Sequence, residues 1–388
     1  MCIRDSLVQS VQNDSTSQSG AGESILLGAE GEDIFDVINT VSMGVPYRLN
    51  FERANTIVFS KEAAEAGVLQ RMTRVELNSL NIRQSVKLIV SLCPARSFLQ
   101  GMAGAGMQNI TKLQYSVYHS YVEDAATPMI NYSLLHEAAE GERLDAAIAL
   151  GGLDVSAVEQ AKESAETLRS ENAEKSGEGG GDSKGGESSE GENQAAQDQQ
   201  GEKSEYTTEG VSRLGGMAAY AGGAALFSGW NMVGVLDNYD ARFLLMGSGQ
   251  FKHGWVRVPY KESELLVYLT STGARKAEID LTDSPHVNLE VYFTCEVLQD
   301  VEAYSREGWD QGLKSAAQAY IEEEILRVFA LCQGLNSDAM GFGRDASKHF
   351  STVGSWENYG WKERYKEMTL AVEVHLTPKN NNVTSDLK

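Results

Sequence analysis

Apolar and polar residues alternate most clearly in the second half of the chain. Over residues 287–297 every second side chain is apolar, and the same period of two returns over 368–376. A period of two predicts a strand with one buried face. Between these runs, apolar residues recur three or four positions apart over 313–335, which predicts one long amphipathic helix. We expect such a helix, placed between two such strands, to pack across a sheet.

The first half of the chain alternates between helical and strand-like patterns, which is typical of a mixed α/β domain. Ser60 is placed to cap a helix that Gly67 ends. The predicted helices are 33–42, 60–66, 95–102, 113–121, 129–140 and, later in the chain, 239–246. The other predicted strands are 56–59, 86–92, 230–236, 255–258 and 265–269.

One internal segment has a composition unlike the rest. Residues 170–204 are rich in Gly, Ser, Glu and Gln and hold almost no apolar side chains. Such a segment cannot bury enough surface to offset its chain entropy, so it is predicted to be disordered. The expected division is a domain at 7–157, an acidic linker at 158–207, a small middle domain at 208–250, a C-terminal domain at 251–379 and a polar tail at 380–388.

The patterns together predict a multi-domain α+β protein with mixed sheets and packed helices. Its C-terminal domain is expected to be an antiparallel-type sheet with one long amphipathic helix. The 388 residues carry a formal net charge of −22. An acidic chain repels nucleic acids and anionic lipid headgroups, which argues against a nucleic-acid partner. No apolar run approaches the roughly 18 residues of a membrane-spanning helix.

Candidate chemistry is sparse. The segment from His136 to Glu140 starts like a zinc-protease motif, but Glu140 stands where the second histidine is needed. The glycine-rich segment 101–106 lacks the lysine of a phosphate-binding loop. Cys93, Cys295 and Cys332 lie in apolar patterns and are expected to be buried thiols. We therefore predict no catalytic residue, no metal site and no cofactor.

Several segments, taken in order, carry a family resemblance. In the first half these are 31–38, 53–60, 62–64, 66–68 and Arg74. In the second half they are 225–227, 232–236, Arg242, Asp338, 341–343, Trp356 and Trp361. Their order and spacing resemble the Ger(x)C family, the lipoprotein C subunits of bacterial spore germinant receptors. The resemblance covers roughly residues 20–376, apart from the linker, which is longer than the family pattern implies.

The resemblance implies a non-enzymatic receptor subunit. It implies a lipid (palmitate) anchor on the outer face of the spore inner membrane, and A-type and B-type membrane subunits as partners. Residues 1–6 are interpreted as an adapter-derived artefact, so Cys2 is not predicted to be the anchor and the natural N-terminus with its signal peptide is expected to be missing. The alternatives are an extracytoplasmic small-molecule-binding lipoprotein and, with no matching motif, a hydrolase.

Six residues are candidates for a partner interface: Glu322, Glu323, Asp338, Phe342, Trp356 and Trp361. Each has a structural alternative. The glutamates can form the solvated face of the long helix, Asp338 can shape the turn at 341–343, and the aromatic residues can fill the core. For all six residues we favour the structural alternative.

Overall fold

The computed structural model describes residues 3–10, 24–31, 33–46, 49–52, 54–72, 79–104, 113–141, 143–153, 219–282, 284–297 and 311–379. The predicted linker at 158–207, the tail at 380–388 and Arg74 lie outside the described residues. No helix within the described ranges is both long and apolar enough to cross a bilayer.

The described part of the chain contains twelve strands and eleven helices. The strands are β1 (Ile3–Ser10), β2 (Ser24–Gly31), β3 (Thr56–Ser60), β4 (Lys87–Ser91), β5 (Ala147–Leu153), β6 (Ala219–Ser228), β7 (Asn231–Leu236), β8 (His253–Tyr260), β9 (Ser263–Ser271), β10 (Lys276–Asp280), β11 (His286–Val297) and β12 (Thr369–Pro378). The helices are α1 (Ile34–Gly44), α2 (Lys61–Glu65), α3 (Val68–Arg71), α4 (Ala95–Gly104), α5 (Leu113–Val122), α6 (Tyr132–Gly141), α7 (Asn238–Ser248), α8 (Gln311–Gly334), α9 (Phe342–Ser347), α10 (Val353–Tyr359) and α11 (Trp361–Tyr365).

The first large sheet has the strand order β3-β4-β5-β6-β7. Strands β3, β4 and β5 run parallel, and β6 and β7 add antiparallel. Strand β6 is buried on both faces, with Ala224 and Leu226 in one core and Ala225 and Phe227 in the other. A strand that is buried on both faces has no polar side to alternate with. For this reason the run of small residues before Phe227 shows no alternating pattern, and no strand is predicted there from the sequence.

The second large sheet joins β8, β9, β11 and β10 in antiparallel pairs, and β12 runs parallel to β11. The alternation predicted for β11 is observed, because Val287, Leu289, Val291, Phe293 and Cys295 are all buried. Helix α8 lies between β11 and β12 in the chain, followed by α9, α10 and α11, and packs against β12 and β8. The predicted α+β class, with mixed sheets and one long helix on the C-terminal sheet, is confirmed.

Helix α8 also covers the outer edge of β12. Its Glu322 accepts a hydrogen bond from the backbone N–H of Val374 at 2.9 Å, and Gln318 donates to the carbonyl of the same residue. Unpaired backbone groups on an edge strand are a template for association with other chains. The two side chains satisfy the outward-facing groups of Val374 and so protect that edge.

The predicted middle domain, 208–250, is described from residue 219 onwards, and this described part divides between the two cores. Its strands β6 and β7 complete the first sheet, whereas buried residues of α7 lie in the core of the second sheet. The domain boundaries themselves stay a prediction. Residues 3–6, interpreted as an artefact, form the start of β1, which pairs antiparallel with β2.

Helix starts follow the capping residues seen in the sequence. Asp33 accepts hydrogen bonds from the backbone N–H groups of Phe35 and Asp36 at the start of α1. Ser60 accepts from Ala63 at the start of α2, and Gly67 ends that helix in the left-handed conformation at φ +69°. Strands β2, β5, β6 and β10 and helices α3, α9, α10 and α11 have no counterpart in the sequence patterns.

Candidate functional site

Four side chains, three of them buried and one half-buried, form a cluster where the first sheet meets the C-terminal third of the chain. They are Asp145, Asp338, Trp361 and Lys362, and we call this cluster the polar junction. Asp145 lies just before β5, Asp338 follows α8, and the other two lie in α11. Both carboxylates are buried, with relative exposures of 2% for Asp145 and 1% for Asp338. A buried charge is costly unless it is paired or fully hydrogen-bonded, so the partners of each group matter.

Asp338 organises the turn that precedes α9. Its carboxylate accepts from the backbone N–H groups of Phe342 at 2.9 Å and Gly343 at 2.6 Å, and from the indole N–H of Trp361 at 3.0 Å. Gly341 adopts φ +75°, a backbone conformation that favours glycine. A Cβ atom on Gly343 would lie 2.5 Å from the indole nitrogen of Trp361. The two glycines therefore let the backbone close around the carboxylate.

Asp145 connects this turn to the first sheet. One carboxylate oxygen accepts from the backbone N–H of Gly229 at 2.8 Å, in the turn between β6 and β7. The other accepts from the backbone N–H of Asp338 at 2.7 Å and from the ammonium group of Lys362. Lys362 also donates to the hydroxyl of Ser228 and the carbonyl of Asn336, each at 3.3 Å. The three donors of the lysine thus have three acceptors.

A second buried ion pair supports the same turn. Arg275, in the loop between β9 and β10, donates to Asp345 at 2.5 Å and to the carbonyl of Gly247 at 2.7 Å. Its guanidinium also lies 5.1 Å from the centre of the Phe342 ring. An arginine held by a carboxylate, a carbonyl and an aromatic face is a well-satisfied buried cation. It fixes α9 against the second sheet.

The electrostatics of the polar junction are dominated by burial. Loss of solvent is the main cause that raises the pKa of Asp338 to about 7, and the nearby negative charge of Asp145 acts in the same direction, against the opposing effect of the three N–H donors. Burial also raises the pKa of Cys332 to about 12 and the pKa of Tyr365 well above its ordinary value. In both cases the charge of Asp338 adds to the effect.

The contacts of the polar junction define what it can do. Every carboxylate and ammonium group in it is held by protein donors or acceptors, which is the arrangement of a buried structural network. Among the described residues, no group of three His, Cys, Asp or Glu side chains is arranged to hold a metal ion. The arrangement can fix the orientation of the sheet, the turn and α11, and it can respond to protonation of Asp338.

The structure brings four of the six candidate interface residues together. Asp338, Phe342, Trp356 and Trp361 are all buried. Trp356 and Trp361 stack with ring centres 5.9 Å apart, next to Phe350 and Tyr365. In the fold these residues pack and shape the turn, while their contact with a partner stays a prediction.

The two glutamates lie on α8, away from that cluster. Glu322 is half-buried against β12, as described above. Glu323 is exposed on the outward face of the helix. Their neighbour Glu324 pairs with Arg327 at 2.8 Å, and Arg327 also binds Asp240 of α7. Three consecutive glutamates therefore have three different environments, which the sequence did not distinguish.

Three residues of the site were not found from the sequence: Asp145, Lys362 and Arg275. A single charged residue between loop-like segments is usually solvated, so nothing in their neighbourhood pointed to burial. Asp338 was found because the glycines at 341 and 343 marked a turn. The expected buried thiols are confirmed, since Cys93, Cys295 and Cys332 are buried and unbridged.

Two family models match the chain. Residues 6–150 match a model described as the spore germination protein N-terminal domain. Residues 222–380 match a model described as spore germination B3/GerAC like, C-terminal. The polar junction joins the two matched regions, because Asp145 lies in the first and Asp338 and Lys362 lie in the second.

A solved structure with a similar fold is the crystal structure of the GerBC protein. It shares 11% sequence identity with this chain at a TM-score of 0.55, and the alignment covers 97% of this chain and 98% of that one. At that identity the likeness shows the fold alone. A comparison with curated protein sequences gives no match.

Proposed function

The chain belongs to the Ger(x)C family of spore germination proteins, and from this premise we propose that it acts as the non-catalytic C subunit of a germinant receptor. The observation that carries the proposal is the match of both family regions, 6–150 and 222–380, in their proper order within one chain. A role in spore germination like that of a receptor C subunit follows from the family. Membership of a particular receptor complex is the proposed step.

The proposed partners are a multi-spanning A-type subunit and a transporter-like B-type subunit. The proposed location is the outer face of the spore inner membrane, with attachment through a lipid anchor. Both parts rest on the family resemblance. The mechanism is conformational coupling through protein interfaces, in which the partners respond to a nutrient and this chain supports or relays that response.

The outward face of α8 is the proposed partner surface, because it holds accessible apolar side chains. Leu326 is 37% exposed and Leu331 is 43% exposed, and Glu323 lies on the same side of the helix. Apolar groups flanked by charge are the usual composition of a protein interface. Of the two candidate glutamates, Glu323 is the more accessible, since Glu322 accepts a hydrogen bond from the backbone of β12.

The test is affinity purification of the tagged full-length protein from detergent-solubilised spore membranes, followed by mass spectrometry. The proposal predicts recovery of A-type and B-type membrane subunits in amounts comparable with the tagged chain. Recovery with a permease and an ATPase contradicts it and favours the small-molecule-binding lipoprotein. Recovery of the tagged chain alone, under conditions in which another receptor complex stays intact, also contradicts it.

A further inference from the structure

We propose that Asp338 is a protonation switch in a latch that joins the first sheet to the C-terminal third of the chain. The latch consists of the polar junction, Asp145, Asp338, Trp361 and Lys362. The proposal concerns this chain by itself and does not depend on membership of a receptor complex.

The first argument is convergence. Four segments that are far apart in sequence meet at two carboxylates: the residue before β5, the β6–β7 turn, the turn after α8, and α11. Asp145 and Asp338 are separated by 193 positions, and Asp145 and Lys362 by 217. The carboxylate of Asp145 therefore joins the two matched regions directly, and that of Asp338 acts on this connection through its own backbone N–H, which donates to Asp145.

The second argument is that all three hydrogen-bond partners of the Asp338 carboxylate are N–H donors. Its oxygens accept from two backbone N–H groups and one indole N–H. An ionised carboxylate is acceptor-only and satisfies all three donors, whereas a protonated one carries an O–H that must itself donate. A proton on Asp338 turns one of the two oxygens into a weaker acceptor and adds an O–H that needs an acceptor of its own. The N–H contacts to the protonated oxygen are weakened as a result.

The third argument concerns the charged groups that face Asp338 from each packed element. Asp145 before β5, Cys332 at the end of α8, Arg275 before β10 and Tyr365 in α11 interact with Asp338. Of the charged groups one step further away, Asp345 in α9 pairs with Arg275, and Lys362 in α11 pairs with Asp145. The pKa values of Cys332 and Tyr365 are raised above their ordinary values and so move away from neutrality. Burial lowers the pKa of Arg275. The upward shift of Asp338, by contrast, brings its pKa to about 7.

The direction of the switch follows from these contacts. Above neutral pH the ionised carboxylate holds the turn at 341–343 and the indole of Trp361 together. Below neutral pH the added proton removes the repulsion between Asp338 and Asp145 but weakens the N–H contacts to the protonated oxygen. The latch therefore has two hydrogen-bonding states, and a partner or a local pH change that favours one of them alters how the two matched regions are joined.

The test is a pH titration of the full chain by nuclear magnetic resonance, with labelled aspartate carboxyl groups and amide nitrogens. The proposal predicts that the Asp338 carboxyl carbon titrates near neutral pH and that the Trp361 indole N–H signal shifts with the same midpoint. Trp361→Phe assigns the indole signal by removing it. Through local opening of the turn, and not through global unfolding, the amides of Phe342 and Gly343 are expected to exchange roughly two- to tenfold faster at low pH, after correction for intrinsic rates, as for the weakening of one ordinary hydrogen bond.

Two results overturn the proposal. One is an Asp338 carboxyl signal that stays constant between about pH 5 and about pH 9, because the group then does not titrate in the neutral range. The other is a carboxyl signal that titrates while the Phe342 and Gly343 amides and the Trp361 indole do not respond, because protonation is then not coupled to the turn. The titrations are read on the unaltered protein, and Trp361→Phe serves only to assign the indole signal. If that variant does not fold, the Phe342 and Gly343 amides of the unaltered protein still decide the outcome.

Discussion

The carboxylate of Asp145 accepts a hydrogen bond from the backbone N–H of Asp338 at 2.7 Å, although 193 positions separate the two residues. The bond places the negatively charged carboxylate of Asp145 against the backbone of Asp338. It is possible at close range because Lys362 neutralises Asp145 and because the Asp338 side chain points into its own turn. This relationship makes the family's N-terminal and C-terminal regions parts of one hydrogen-bonded structure.

Removing the ammonium group of Lys362 is expected to destabilise the fold. Lys362→Met leaves Asp145 buried without its counter-ion, and breaking a buried pair from one side costs about 3–5 kcal/mol. Because Lys362 is 21% exposed, we expect a loss near the lower end of that range. The measurement is urea unfolding followed by circular dichroism. Lys366→Met, at an exposed lysine four positions later, is the control and should change stability by less than about 0.5 kcal/mol. Equal effects of the two substitutions contradict the assignment.

The stability of the fold should carry a pH dependence that comes from Asp338. Its pKa is raised to about 7 in the fold from an ordinary 3.8, so between these values the folded chain binds a proton that the unfolded chain releases. The contribution of this group to the free energy of unfolding is therefore greatest at low pH and decreases as pH rises from about 4 to about 7. Above pH 7 it is constant.

Asp338→Asn is the variant that isolates this effect from other carboxylates. Its free energy of unfolding should fall less steeply with pH than that of the unaltered chain, with a difference on the order of a few kcal/mol across the interval. The measurement is a series of denaturant titrations at fixed ionic strength. Parallel pH profiles for the two proteins would show that Asp338 has an ordinary pKa.

Glu322 and Glu323 offer a matched pair of substitutions on one helix. Glu322→Ala removes the acceptor for the Val374 N–H on the edge of β12, which should cost about 1–3 kcal/mol. The exposed edge should also promote association at high protein concentration, which light scattering detects. Glu323→Ala removes an exposed side chain and should be nearly neutral in both measurements. The idea of edge protection fails if Glu323→Ala is the more harmful change.

Leu326→Glu tests the proposed partner surface without disturbing the core. Leu326 is 37% exposed on α8, so its substitution should leave the melting temperature unchanged within a few degrees. Recovery of partner subunits in the purification should decrease several-fold, since charge at the centre of an interface is costly. Val353→Glu, at a residue that is 59% exposed on α10, is the control. Unchanged recovery with Leu326→Glu would place the interface elsewhere.

Trp356 distinguishes packing from partner contact among the buried candidates. It is 4% exposed and lies against Phe350, Tyr359 and Trp361. Trp356→Ala should therefore lower the free energy of unfolding by about 3–5 kcal/mol. A variant that melts normally but fails to recover its partners would show that the residue acts at an interface.

The sequence predicts the periodic elements well and the site only in part. Strand β11 and helix α8 each have one buried face, so their periods of two and of three to four survive in the residue pattern. Strand β6 is buried on both faces, so its residues show no alternation of apolar and polar side chains. Strand β10 is short and lies in a charged segment, so its alternating exposure does not show in the residue pattern. The glycines beside Phe342 mark a turn in the sequence, and this turn identifies Asp338 as a candidate residue. Asp145 and Lys362 acquire their roles only through contacts across the fold, which local spacing does not encode.

The central claim is that this chain serves the response of spores to nutrients, and germination of spores that lack its gene tests it most directly. Spores are exposed to single nutrients from a panel, and germination is followed by the fall in optical density. The account predicts that the deletion abolishes or strongly slows the response to at least one nutrient and that the full-length gene restores it. Normal germination of the deletion strain with every nutrient tested would contradict the account.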